Sequence, residues 1–126
     1  MALPPPRGHY AYVVTHGGVA YLSGQLPLDA EGRPDAAAPF AEQAQRVFAQ
    51  LDEVLASVGS HKHRLLKVTV YITDITRWPE FDTLYAAWLG EHRAARSVVP
   101  VPELHHGLAL EVDAVAAMPA RGGDGA

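Results

Sequence analysis

The sequence predicts an α+β fold: a mixed β-sheet of about five strands with two helices packed on one face. Two observations carry this. Apolar residues recur at helical spacing in two stretches and at alternate positions in several others. The elements also follow one another as ββαβαββ, so a helix must cross over the sheet between the hairpin and the third strand.

The chain of 126 residues suits a single domain over 1–126, with flexible ends at about 1–7 and 119–126. Apolar residues make up 48% and charged residues 19%, enough for one core. The formal net charge is −4 without a basic cluster, which argues against a nucleic-acid partner. The absence of cysteine removes disulfides, thiol nucleophiles and thiolate metal sites. The start, Met1-Ala2-Leu3-Pro4-Pro5-Pro6, has no apolar run of signal or membrane length. The expectation is a soluble, cytoplasmic protein without a membrane partner.

Pro4-Pro5-Pro6 forms an extended lead-in, because proline lacks the N–H that a helix or central strand uses. Ala11–Thr15 and Val19–Ser23 read as strands around a His16-Gly17-Gly18 turn. Asp29–Pro34 is a polar loop. From Phe40 to Val58 the period changes. Ala44, Val47, Phe48, Leu51, Val54, Leu55 and Val58 mark one face of a helix, and Gly59 stops it. Leu65–Thr73 alternates as a strand with one core face. Pro79 opens a second helix with Phe81, Leu84, Tyr85, Trp88 and Leu89 on its apolar stripe, and Gly90 lies near its end. Strands containing Arg96 and Glu111 come last, followed by a tail from Met118.

Arg96 stands at the entrance of an apolar, β-branched run, and Glu111 and Asp113 interrupt the last strand on one face. A planar cation and two acids on neighbouring strands make either a structural ion pair, Arg96 with Glu111 or Glu91, or a binding site. On the last strand, Leu108, Leu110, Val112, Ala114 and Ala116 suit the helix-covered face; Ala109, Glu111, Asp113 and Val115 face away. Small apolar groups mixed with acids suit a subunit interface, and an open sheet face in water is the other reading. His61-x-His63 and His105-His106 lack a third ligand of metal-site spacing, and loop histidines are the simpler reading.

Five segments in this order, Ser23-Gly24-Gln25-Leu26-Pro27-Leu28, Ala56-Ser57-Val58-Gly59-Ser60, Lys67–Asp74, Ala95-Arg96-Ser97 and Glu111–Ala116, closely resemble the YjgF/Rid family of reactive-intermediate deaminases. Some members of that family carry the endoribonuclease L-PSP label. The resemblance spans about Gly8 to Ala116. It implies a chorismate-mutase-like fold, a homotrimer with clefts between subunits, no metal or organic cofactor, and hydrolysis of 2-imino and enamine acids to 2-keto acids and ammonia. It further implies that Arg96 grips the carboxylate of a small metabolite and Glu111 positions the attacking water. Tyr10 would line the cleft, and Ser23, Gly24 and Gln25 would form a loop whose backbone holds the ligand.

The chemistry suits these roles. A guanidinium holds a carboxylate with two parallel hydrogen bonds. An iminium carbon is already electrophilic, so a positioned water and one carboxylate suffice. The chain departs from the family pattern at His9, Tyr12, Ala94, Val98 and Asp82, the last standing where the helix-two motif has asparagine. The departures at His9, Tyr12 and Asp82 bear on which substrate fits, while Arg96 and Glu111 keep the general chemistry. Two other readings are a non-catalytic binder of 2-keto acids or related metabolites and an endoribonuclease; the net charge of −4 weighs against the latter.

Overall fold

Two glycines close the first paired element. In the computed structural model, which describes residues 3–119, β1 (Val13–His16) and β2 (Val19–Gln25) form an antiparallel hairpin joined by Gly17 and Gly18. Their φ values are 59° and 81°, the pair of positive angles that a two-residue I′ turn requires and a β-carbon resists. His16, expected in the turn, therefore pairs with Val19.

The helical periods become α1 (Phe40–Ser57) and α2 (Trp78–Leu89). Gly59, at φ 76°, ends α1. Ser60 N–H donates to the Leu55 carbonyl at 2.9 Å and Gly59 N–H to Ala56 at 3.0 Å, the paired bonds of a Schellman cap. The alternating segments become β3 (Leu65–Ile72), β4 (Ala95–Pro100) and β5 (Leu110–Ala117).

The sheet order is β1-β2-β5-β3-β4, with β3 and β4 parallel and all other pairs antiparallel. The strand last in sequence thus lies in the middle, and its two acids stand near the centre of the sheet. The predicted α+β architecture, two helices on a five-stranded mixed sheet, is the observed one.

One sheet face meets the helices. Leu22, Val68, Val70, Ile72, Leu110, Val112 and Ala114 pack with Val47, Phe48, Leu51 and Leu55 of α1 and Phe81 and Leu89 of α2 in a single buried cluster. Burying each large side chain contributes about 1.5–3 kcal/mol. Leu110, Val112, Ala114 and Ala116 of β5 lie on this side and Glu111, Asp113 and Val115 on the other, as their alternation predicts.

Within the expected flexible lead-in, Leu3 N–H donates to Glu53 at 2.6 Å, Tyr12 Oη to the Pro4 carbonyl at 2.5 Å and Arg7 to the Gly32 carbonyl at 2.8 Å. Most of the predicted tail, from residue 120 onward, lies outside the described residues. No helix among the described residues is long and apolar enough to cross a membrane.

Candidate active site

The face of the sheet away from the helices carries the acids. Glu111 pairs with Tyr71 across β3 and β5, and Thr69 with Asp113. On the other side of β5, the β2 register shifts between Leu22 and Gln25: three residue steps on β2 oppose two on β5, from Ala114 to Val112. The extra residue is a bulge at Ser23-Gly24, a device that re-aims side chains beside sites. The Glu111 carboxylate lies against the bulge so closely that a β-carbon on Gly24 would overlap it. Glycine is needed here for space, since Gly24 has an ordinary negative or extended φ.

Around this carboxylate the fold gathers Gly8, Tyr10, Ser23, Gly24, Arg7 and the loop histidines His105 and His106, lining an open cavity of about 410 Å³. Burial lifts the Glu111 carboxyl above the ordinary glutamate range; His105 opposes this and the Asp113 charge adds to it. Asp113 is engaged differently. It accepts a hydrogen bond from Tyr71 Oη at 3.1 Å, the local donor partner expected of a structural acid. Burial and then Asp113 hold the Tyr71 hydroxyl above its usual pKa.

Of the residues predicted for the ligand loop, Ser23 and Gly24 reach this cavity. Gln25 does not line it but borders an adjoining cavity of about 120 Å³ shared with Arg7, Tyr10, Gly24 and His106. Its side chain is 2% exposed, donates to the Ser23 carbonyl at 3.3 Å and accepts from Gln50 at 3.2 Å, so it braces the bulge from behind. Tyr10 stands 49% exposed with its ring edge-on to Tyr12. His106 adopts φ 61° beside Gly107 at φ 69°, a left-handed turn rare for a residue with a β-carbon. His106 and Arg7 were not foreseen as lining residues. The His105-His106-Gly107 cluster held a signal for the first, but no local pattern links Arg7 to β5.

Arg96 lies elsewhere. In the parallel pair β3–β4 it is level with Val68, a buried helix-face residue, so it points towards α2. Nη1 donates to Asp82 Oδ1 at 2.7 Å. The guanidinium carbon sits 4.9 Å from the Tyr85 ring centroid and 5.6 Å from that of Trp78. In place of the structural alternative, an ion pair with Glu111 or Glu91, Arg96 pairs with Asp82 of α2, and the pleat turns it away from Glu111. These groups belong to a second cavity of about 380 Å³, bounded also by His92, Arg93 and Gly90. Tyr85, expected in the core stripe, is both core and cavity wall; burial raises its pKa, opposed by Arg96, and its hydroxyl has no hydrogen-bond partner among the described residues.

Arg96 and Glu111 are therefore two strands and about three residues apart on opposite faces, roughly 14 Å between backbones from strand spacing and rise. One chain does not bring them together. Among the described residues no group of three or more His, Cys, Asp or Glu side chains is arranged to hold a metal ion.

The Endoribonuclease L-PSP family profile matches residues 1–118. A RutC family protein of Pyrococcus abyssi is 29% identical over 113 residues, covering 90% of this chain and 89% of that one. A protein of Dermatophagoides farinae named 2-iminobutanoate/2-iminopropanoate deaminase is 26% identical over 112 residues, covering 89% and 88%. The crystal structure of E. coli TdcF with bound serine superposes with a TM-score of 0.85 at 26% identity, covering 93% of this chain and 94% of that one.

Proposed function

This chain belongs to the Endoribonuclease L-PSP family, and from that premise we propose that it hydrolyses reactive 2-imino and enamine acids to 2-keto acids and ammonia. The observation that carries the reading is Glu111: a half-buried carboxyl of raised pKa, held against the Gly24 backbone in an open cavity. Such a group is a stronger base than a free glutamate and stands closer to the pH at which it works.

In this reading the carboxylate of the substrate rests on the Arg96 fork and the iminium carbon faces a water held by Glu111. Glu111 takes a proton from the water as the C–O bond forms, leaving a neutral carbinolamine. It returns that proton to nitrogen. The C–N bond then breaks, the hydroxyl proton leaves with ammonia as ammonium, and the carbonyl of the keto acid remains.

The reading requires a second copy of the chain, and we propose a homotrimer with clefts between subunits. A three- or four-carbon acid cannot span two faces of one sheet. It can touch both groups when one protomer supplies Arg96 and its neighbour Glu111. The open face supports such an association: Val14 is 58% exposed and Tyr21 48% exposed, and both stand on it with Val115. The deaminase name of the Dermatophagoides farinae relative and the serine bound to E. coli TdcF fit a ligand of this size and class.

The test is Glu111→Gln with an imine generated in situ by an amino-acid oxidase and semicarbazide to trap what escapes. The variant should lose about 10²-fold or more in kcat while an unreactive keto acid binds nearly as before. Hydrolysis at the wild-type rate would make Glu111 structural. If neither protein hydrolyses any imine, a non-catalytic binder becomes the better account.

A further inference from the structure

Arg96 does not face its cavity as a free cation. Its Nη1 is held at 2.7 Å by Asp82 Oδ1, and among the described residues it makes no other hydrogen bond. Asp82 Oδ2 likewise accepts none. The Asp82 side chain is 47% exposed and that of Arg96 20% exposed. Both border the same cavity of about 380 Å³, and the Tyr85 and Trp78 rings hold the guanidinium from the sides. The wall thus offers a ligand free guanidinium N–H groups and, beside them, an uncommitted carboxylate oxygen.

We propose that Asp82 is a specificity-determining residue: with Arg96 it selects a ligand carrying a carboxylate and a protonated nitrogen on adjacent carbons over a plain keto acid. The proposal rests on the reading that Arg96 binds the substrate carboxylate. A monoanion entering here meets attraction from Arg96 and repulsion from Asp82. A zwitterion satisfies both, its carboxylate accepting from the guanidinium and its N–H donating to Oδ2. The two ends of a 2-iminium acid have this arrangement. After hydrolysis the nitrogen is replaced by a carbonyl oxygen, which turns a lone pair towards Asp82 in place of a donor. The pair would hold the substrate in its protonated, electrophilic form and release the product.

Pyruvate and L-alanine share a carbon skeleton and differ at this atom, and neither reacts. Their affinities are measured by calorimetry for the wild type, Asp82→Asn, Asp82→Glu and Arg96→Ala, with thermal melts to check folding. The asparagine still offers Arg96 a carbonyl acceptor but lacks the charge. Wild type should bind alanine at least about tenfold more tightly than pyruvate. Asp82→Asn should shift the ratio of the two Kd values by about tenfold towards pyruvate, and Asp82→Glu should retain the alanine preference. A ratio unchanged by Asp82→Asn, a wild-type preference for pyruvate, or no binding of either ligand at ten millimolar overturns the proposal. Should Asp82→Asn leave the ratio unchanged while Arg96→Ala loses both ligands, only the role of Asp82 falls. Pyruvate bound by Arg96→Ala as tightly as by wild type removes the clamp beneath both readings.

Discussion

Arg96 and Glu111 are each shaped by a neighbour that the other lacks. Arg96 is pinned between Asp82, Tyr85 and Trp78, so replacing it removes a fork that is already oriented. Arg96→Ala should weaken binding of a small carboxylate by about 2–4 kcal/mol. Arg96→Lys should recover little, since a point charge does not reproduce two parallel donors. Calorimetry with pyruvate checks both, and wild-type affinity in the alanine variant would refute the clamp. Glu111 carries a stability signature as well. Its carboxyl is raised in the folded protein, chiefly by burial, so the folded state binds the proton more readily than the unfolded chain. Between the ordinary glutamate pKa, about 4.3, and the raised folded value, stability falls as pH rises. Above that window the ionised carboxylate is a standing cost. Glu111→Gln should therefore melt higher than the wild type at pH 7, with the difference shrinking as the pH drops through that window. An equal gap at pH 7 and pH 4 would show that the burial of Glu111 carries no such cost.

At the scale of elements, the β2 bulge is what lets β5 present Glu111 to a cavity. Gly24→Ala would set a β-carbon on the carboxylate. The carboxylate is the mobile end of its side chain and can turn away, so the fold should survive with Tm little changed. The displaced base should cost about 10²-fold in kcat, as misplacements near 1 Å do. Imine hydrolysis and a thermal melt separate the two effects; full activity would show that the bulge does not aim Glu111. The α1 terminus gives a contrast. Gly59 has φ 76° and open space around it, so only backbone conformation opposes a side chain there. Gly59→Ala should lose about 1 kcal/mol in urea unfolding, without effect on ligand binding.

For the whole molecule, the question is what covers the second face of the sheet. A largely antiparallel sheet can leave one face in water, but this mixed one exposes Val14 and Tyr21 there together with half-buried acids. Light scattering should report three times the chain mass of 13.5 kDa. Tyr21→Arg, which puts a charge on that face, should weaken the trimer and imine hydrolysis together. A stable wild-type monomer at micromolar concentration would refute the assembly, and a monomeric, fully active Tyr21→Arg variant would refute the shared cleft.

The sequence by itself determined both helices, all five strands and the two faces of β5, because those depend on periods of 3.6 and 2 that short-range chemistry imposes. The Gly17-Gly18 turn and the Gly59 stop were legible for the same reason: they are local backbone angles. The resemblance named Arg96, Glu111, Tyr10, Ser23, Gly24 and Gln25. Only the tertiary structure separated them, placing Arg96 with Asp82 on the helix face, Glu111 with Gly24 on the other, and Gln25 behind the bulge. Strand order and register decide which side chains meet. β5, last in sequence, slots between β2 and β3, and no local pattern along the chain records that pairing.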